Sequence, residues 1–251
     1  GEGDDELHQL ASTFDEMLDR LELAFERERQ FTSDASHELR TPMSVILAQC
    51  ELSLSDPETS VSSRTAFLTI QRQGKRMSRL INDMLDYTRL EMRPDRYPKQ
   101  NVDLSALTTS LCDDMALIRQ QGIQLTADIQ SEINIYGNPQ LLSRLVTNLI
   151  SNAYRYGKEN GHILVRLHLN STGASERRSL SLSVEDDGIG ISKEEQKHIF
   201  QRFYQVDPSR SGAGTGLGLS MVQQIAEFHN GTVTVKSAPG DGSIFTVLMF
   251  L

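Results

Sequence analysis

Residues 92–101, Met92-Arg-Pro-Asp-Arg-Tyr-Pro-Lys-Gln-Asn101, decide how the chain is read. Prolines at 94 and 98 and the lack of any apolar period make this a connecting stretch. The residues on its two sides follow different rhythms. Upstream, Leu7, Leu10, Phe14, Met17, Leu21, Ala24, Phe31 and Ala35 recur three and four apart, with Glu28 at the interposed step. That is the seam of a coiled coil. Phe67, Ile70, Gly74, Met77, Ile81 and Met84 repeat it, and the polar SDPETSVSS of residues 55–63, with Pro57, can turn one helix back on the other. The first ninety or so residues therefore read as a helical hairpin. A two-helix hairpin cannot bury a continuous seam alone, so two copies are expected to pair into a four-helix bundle.

Downstream the pattern is mixed. A helix is expected from Leu104 to Gln120 and strands at Ile123–Ile129 and Asn134–Tyr136. Asn138-Pro139 supplies an N-cap and a first-turn proline for a helix reaching Tyr156. Ile163, Val165, Leu167 and Leu169, then Leu180, Leu182 and Val184, alternate with polar residues as half-buried strands. Val233 with Val235 and Ile244–Leu248 give two more, joined by the Gly-rich SAPGDGS, and Gln223–His229 ends another helix. This half reads as an α/β sandwich of sheet and helices.

The 251 residues are 38% hydrophobic and 24% charged, with a net charge of −9. That length fits one large domain or two ordinary ones and a sizeable core. The acidic balance argues against a general nucleic-acid binder, which needs a basic face. No apolar run reaches membrane-spanning length and the first residues are no signal peptide, so the chain as given is expected to be soluble. Cys50 and Cys112 lie far apart with no ligand spacing, and read as reduced core residues.

Five segments stand out. Ser36-His37-Glu38-Leu39-Arg40-Thr41-Pro42 sets a histidine beside a carboxylate, with a proline whose ring crowds the carbonyl four residues back, that of Glu38. Glu38 can orient or deprotonate the imidazole and leave its other nitrogen nucleophilic near neutral pH. Thr41 stands one turn further on the same face, where its hydroxyl can position a water. Asn148 and Asn152 stack one turn apart as hard amide-oxygen ligands suited to Mg²⁺, and Arg155 and Lys158 bring cations for phosphate. Asp186-Asp187-Gly188-Ile189-Gly190 follows a strand, where glycines admit a flat ligand and a carboxylate accepts from an exocyclic amine. Ile199-Phe-Gln-Arg-Phe-Tyr204 reads as an aromatic packing element at the base of a mobile segment. Gly212-Ala-Gly214-Thr-Gly216-Leu-Gly218-Leu219 then opens a helix, turning backbone N–H groups toward an anion. It is neither a Walker A loop nor a dinucleotide fingerprint.

In this order the segments resemble the catalytic core of a bacterial two-component sensor histidine kinase, over almost the whole chain. Phe31–Pro42 is similar to the family's H box and Asn148–Lys158 to its N box. Asp186–Gly190 and Gly212–Leu219 are similar to its two glycine boxes, and Ile199–Tyr204 to its F box. The resemblance implies a multi-domain α and α+β chain. Residues 1–28 would be the end of a HAMP-like signalling helix, 29–93 a dimerisation and histidine-phosphotransfer hairpin, 94–101 a linker, and 102–251 an ATP-binding sandwich shared with gyrase, Hsp90 and MutL. A natural parent would carry membrane helices and a sensor upstream, and would work on the cytoplasmic side of the bacterial inner membrane.

By the same resemblance His37 is the phosphoacceptor, Glu38 its acid/base partner, and Thr41 part of a phosphatase motif. Asn148 and Asn152 hold Mg²⁺, Arg155 and Lys158 meet phosphates, and Tyr156 lines the ATP site. Asp186, first of the glycine-box positions, reads adenine, with Gly188 and Gly190 beside it. Residues 205–215 form the ATP lid, and Gly212, Gly214, Thr215, Gly216, Leu217, Gly218 and Leu219 cradle phosphate, with Tyr204 close by. Relatives often carry an arginine directly after the F-box aromatic. Here that position is Gln205, and Arg202 or Arg210 is left to supply the charge. The implied partners are a second copy of the chain and the receiver domain of a response regulator. The alternatives are an ATPase clamp of the gyrase and Hsp90 group, which would lack an H box, and an inactive signalling scaffold.

Overall fold

The computed structural model describes residues 13, 14, 17, 39–117, 122–170, 178–206 and 215–251. Among the expectations, His37, Glu38, Arg210, Gly212, Gly214 and most of the seam before Leu39 lie outside these residues, while Phe14 and Met17 are helical and exposed. The chain divides into two compact units, Gly1–Met92 and Arg93–Leu251.

The first unit is the expected hairpin. Helix α1 covers residues 39–55 and runs through Pro42; helix α2 is Val61–Met92. The five residues between them are held by their own side chains. The Asp56 carboxylate accepts from the Glu58 N–H (2.9 Å), and the Thr59 hydroxyl donates to the Ser53 carbonyl (2.6 Å). Ser60 Oγ then caps α2 by accepting from the Ser63 N–H (3.2 Å), so the helix starts inside the polar stretch. Gly74 is buried because the helices meet there: a Cβ would lie 2.9 Å from Leu47 Cδ2 and 3.4 Å from Met43 Sδ. Further along, Asn82 Oδ1 accepts from Arg40 Nη2 at 2.8 Å. Met43, Cys50, Leu85 and Leu90 are buried, whereas Val45, Leu52, Ile70, Met77 and Met84 are exposed. Half of the second apolar run therefore lies outside the hairpin's own core.

The second unit contains strands β1 (Gln100–Asp103), β2 (Gln124–Ile129), β3 (Asn134–Gly137), β4 (His162–Asn170), β5 (Ser179–Asp186), β6 (Gly231–Ser237) and β7 (Ser243–Phe250). Its helices are α3 (Leu104–Ala116), α4 (Pro139–Tyr156) and α5 (Gly218–Phe228). Five strands form one mixed sheet in the order β2-β4-β5-β7-β6, in which only β2 and β4 run parallel. One set of alternate residues is fully buried against the helices: Ile163, Val165 and Leu167, then Leu180, Leu182 and Val184, then Phe245, Val247 and Met249. The opposite set, including Ile244 and Leu248, is half-buried, and Leu169 at the end of β4 is exposed. α3 packs on β2, α4 on β4 and β5, and α5 on β6 and β7, which gives a two-layer sandwich.

Two boundaries differ from expectation. α3 stops at Ala116 rather than Gln120, and residues 118–121 lie outside the description. The connecting stretch, expected only to be a linker, contributes Gln100 and Asn101 to β1, which pairs antiparallel with β3 (Gln100↔Gly137, Val102↔Ile135). Asp103 then caps α3 by accepting from the Ala106 N–H (2.9 Å). Asn138 caps α4 as expected, with Leu141 N–H donating to Oδ1 at 3.1 Å. Cys50 and Cys112 are free and buried; burial pushes the Cys112 thiol up to about 11, with the Asp113 charge adding, so it stays protonated and inert.

Candidate nucleotide site

α4 buries Leu141, Leu142, Leu145, Val146, Leu149, Ile150 and Ala153 in the core. The same 3.6-residue period that buries them leaves Asn148 and Asn152, one turn apart, at half-buried positions and Arg155 exposed. Asn148 Nδ2 donates to the Gly218 carbonyl at 3.5 Å, which sets this helix beside the start of α5. α5 opens without a side-chain cap and with no acidic residue in its first turn. A Cβ on Gly218 would meet nothing within 4 Å, so the backbone there borders open space. A helix start of this kind suits an anion.

β5 ends in Asp186, which is 5% exposed. Its Oδ1 accepts from the Gly188 N–H at 2.9 Å. Burial raises its pKa to about 6, and the charges of Asp187 and Glu185 act in the same direction; hydrogen bonds from the backbone of Gly188 and Ser243 oppose the rise. The loop after it is packed backbone to backbone. A Cβ on Gly188 would lie 2.1 Å from the Tyr156 carbonyl, which accepts from the Ile189 N–H at 3.1 Å. Gly190 has φ +70°, and a Cβ there would come 1.8 Å from the Ala238 carbonyl. Both glycines are thus required by close approach, in addition to any ligand.

The turn between β6 and β7, expected only to join two strands, is the other wall of this loop. The Gly240 N–H donates to the Ile189 carbonyl (2.7 Å), and Ser237 Oγ accepts from the Ile191 N–H (2.8 Å). Lys158, expected to meet phosphate, donates to the Gly240 carbonyl at 3.1 Å. Sequence reasoning passed over Ser237 and Gly240; the clue was the density of glycine in SAPGDGS.

In the Ile199–Tyr204 segment the buried residue is Ile199. Phe203, expected to pack, is 54% exposed and holds φ +63°. It is pinned by its backbone: the Phe203 N–H donates to the Gly216 carbonyl at 3.0 Å, and Gly216, at φ +73°, lies against it. This contact ties together the two flanks of residues 207–214. Tyr204 is half-buried beside His198, Arg202 is exposed, and Thr215 Oγ1 accepts from the Leu217 N–H at 3.4 Å. Leu217 is buried and Leu219 half-buried.

A buried carboxylate at a strand end, two asparagines on the adjoining helix and an uncapped helix start are the groups this unit offers to a nucleotide. Residues 137–251 match the family described as "Histidine kinase-, DNA gyrase B-, and HSP90-like ATPase", and residues 27–93 match the "His Kinase A (phospho-acceptor) domain". The chain belongs to the sensor histidine kinases and carries the two domains of their catalytic core. It is 39% identical over 229 residues to the sensor histidine kinase RppB of Synechocystis sp., a match covering 89% of this chain and 49% of that protein. It is 32% identical over 235 residues to the sensor histidine kinase CusS of Escherichia coli (strain K12), covering 92% and 48%. The chain thus spans about half the length of the curated relatives it matches. Among solved structures, full-length ShkA in complex with AMPPNP shares the fold with a TM-score of 0.72 at 24% identity, over 88% of this chain and 45% of that one. No helix among the described residues is long and apolar enough to cross a membrane.

Proposed function

We propose that this chain autophosphorylates His37 from ATP bound in its second unit and passes the phosphoryl group to an aspartate of a response-regulator receiver domain. The observation that carries the nucleotide half is Asp186: a carboxylate 5% exposed at a strand end, held by the Gly188 N–H beside glycine backbone, keeps acceptor capacity that an exocyclic amine can use. Tyr156 and the loop through Gly188 and Gly190 line the base, while the start of α5, with Thr215, Gly216 and Gly218, receives phosphate oxygens. Arg155, Arg202 and Arg210 are the cations assigned to the triphosphate; Lys158 supports the loop wall through Gly240.

Among the described residues no three His, Cys, Asp or Glu side chains cluster to hold a metal. The amide oxygens of Asn148 and Asn152, one turn apart on α4, suit an ion that keeps phosphate oxygens and waters as its other ligands. Bound there, Mg²⁺ would neutralise the charge developing on the phosphates. The neutral imidazole of His37 attacks the γ-phosphorus as the bond to the β,γ-bridging oxygen breaks and ADP leaves. Glu38 orients the ring and takes up its proton.

Pairing of two hairpins is supported by the exposed Val45, Leu52, Ile70, Met77 and Met84. Thr41 is exposed on α1 and belongs to a second activity, positioning a water for hydrolysis of the regulator's phosphoaspartate. The test is incubation with γ-labelled ATP and Mg²⁺. An acid-labile, alkali-stable label on the wild type, absent from His37→Gln and reduced at least about a hundredfold in Asn152→Ala, is the expected result. Steady phosphate release without label would replace the kinase by a clamp ATPase, and neither signal would leave a scaffold.

A further inference from the structure

Two carboxylates stand side by side at the end of β5, and the alternation of a strand sends them to different surroundings. Asp186 is buried in the site described above. Asp187 is half-buried, and its Oδ2 accepts from the His162 N–H at 3.1 Å, at the first residue of β4. Its Oδ1 is buried with no hydrogen-bond partner among the described residues. The carboxylate lies against the turn that follows α4. There the Gly161 N–H donates to the Lys158 carbonyl (3.0 Å), and a Cβ on Gly161 would come 2.4 Å from Asp187 Oδ1. At the other end of the same loop the Ile189 N–H reaches the Tyr156 carbonyl (3.1 Å). The glycine loop is therefore stitched to the segment between residues 156 and 162 twice, and Asp187 is the only side chain in either stitch.

A buried carboxylate oxygen without a donor opposes folding, and an asparagine would serve the His162 N–H equally well while removing that charge. The charge therefore needs a separate account. The group it acts on is Asp186. Glu185, also on β5, acts on Asp186 in the same sense, while across β7 Asp186 receives only the backbone of Ser243. We propose that Asp187 is a positioning residue of the nucleotide site, clamping the α4–β4 connection to the Asp186–Gly190 loop and holding a second negative charge against Asp186. This rests on the nucleotide site proposed above and adds how its acceptor is tuned.

The consequence is a pH dependence. Asp186 accepts from an amine when ionised, so nucleotide affinity falls about tenfold per pH unit once the carboxyl takes up its proton, from near pH 6 downward. Removing the neighbouring charge eases ionisation and moves that limit to lower pH.

The experiment is calorimetric titration of the full chain with Mg–AMPPNP from pH 5 to 8, in the wild type, Asp187→Asn and Asp187→Ala; titration of the ligand itself cancels in the comparison. Asp187→Asn keeps the acceptor for His162 and is expected to bind within about threefold of wild type at pH 8, with its acid limit moved about half a unit or more downward. Asp187→Ala is expected to lose about tenfold at pH 8 as well, because the clamp is gone. An unmoved acid limit in Asp187→Asn, or wild-type binding by Asp187→Ala at pH 8, overturns the proposal. The carboxyl ¹³C titration of Asp186 without nucleotide, wild type against Asp187→Asn, decides the electrostatic half independently. If the wild type binds no nucleotide at any pH, the proposed function fails while this second comparison still stands or falls alone.

Discussion

His229 is a buried histidine at the end of α5 whose removal tests how the nucleotide helices are held. It is 3% exposed, and both ring nitrogens are used. Nδ1–H donates to the Ile225 carbonyl (2.8 Å), and Nε2 accepts from the Asn138 N–H (3.1 Å), which requires the neutral Nδ1–H tautomer. Asn138 in turn caps α4 and donates from Nδ2 to the Pro98 carbonyl at 3.0 Å, while Lys99 Nζ caps the Phe228 carbonyl at 2.7 Å. One imidazole thus ties the end of α5 to the start of α4, and the middle of α4 meets the start of α5 through Asn148 and Gly218.

Replacing it by alanine strands the buried Asn138 N–H, at about 1–3 kcal/mol, and empties a ring-sized space, for which large-to-small core changes give about 2–5 kcal/mol. The two overlap, so we expect His229→Ala to destabilise the second unit by about 4 kcal/mol, a large part of a typical domain's 5–15. Five of the six tyrosines lie after Met92 and the chain has no tryptophan, so near-ultraviolet circular dichroism in urea reports that unit. The effect also carries a pH signature. Burial, with a contribution from Lys99, holds the His229 pKa below its ordinary 6.5. In the window between the lowered value and 6.5 the unfolded chain binds a proton that the native state does not. Its stabilisation is therefore full above 6.5 and is lost as pH falls, by up to about 1.4 kcal/mol per unit. The gap between wild type and variant should narrow on acidification from pH 7.5 to 5.5. His229→Gln, which does not titrate and can still accept from Asn138, should recover part of the loss. A cost below about 1 kcal/mol, or a gap that is flat with pH, would refute the assignment of a neutral imidazole joining the helices.

Asp186 has the opposite sign. Its pKa is raised on folding, so its contribution is full below its ordinary 3.8 and is lost as pH rises through about 6. Asp186→Asn should abolish nucleotide binding yet, without ligand, be more stable than wild type at pH 8 by up to about 3 kcal/mol, the difference closing toward pH 4 in denaturant titrations. Gly190→Ala should lose both folding and binding, by about 3 kcal/mol or more in the same assay, since the new methyl meets the Ala238 carbonyl from a left-handed backbone. Thr41→Ala should slow dephosphorylation of the regulator about tenfold or more while autophosphorylation stays within about twofold; equal loss of both would remove Thr41 from its proposed role.

What the residues reveal in advance depends on how far their partners lie along the chain. The hairpin turn is local: Asp56, Thr59 and Ser60 find their acceptors and donors within about six residues, so a polar proline-bearing stretch announces it. Asn138-Pro139 announces α4 for the same reason, because a cap reaches only three residues ahead. The glycines and asparagines stand out as a set because they keep fixed spacing, whereas Lys158 turned to a carbonyl of the β6–β7 turn, 82 residues away, that no local pattern indicates. Strand β1 escaped because only Val102 of its four residues is buried and its pairing with β3 is long-range. His229 escaped for a stronger reason. At a helix end it reads as any exposed histidine, and what makes it neutral and structural is an N–H 91 residues earlier. Asp186 and Asp187 sharpen the point: identical neighbours in sequence, they differ because one strand residue's turn places the first among apolar strands and the second against Gly161. Local chemistry names the kind of group a site needs. Which of two equal groups is buried at the strand end is set by the register of β5 against β4 and β7, where Asp186 pairs with Ile163 and Ser243.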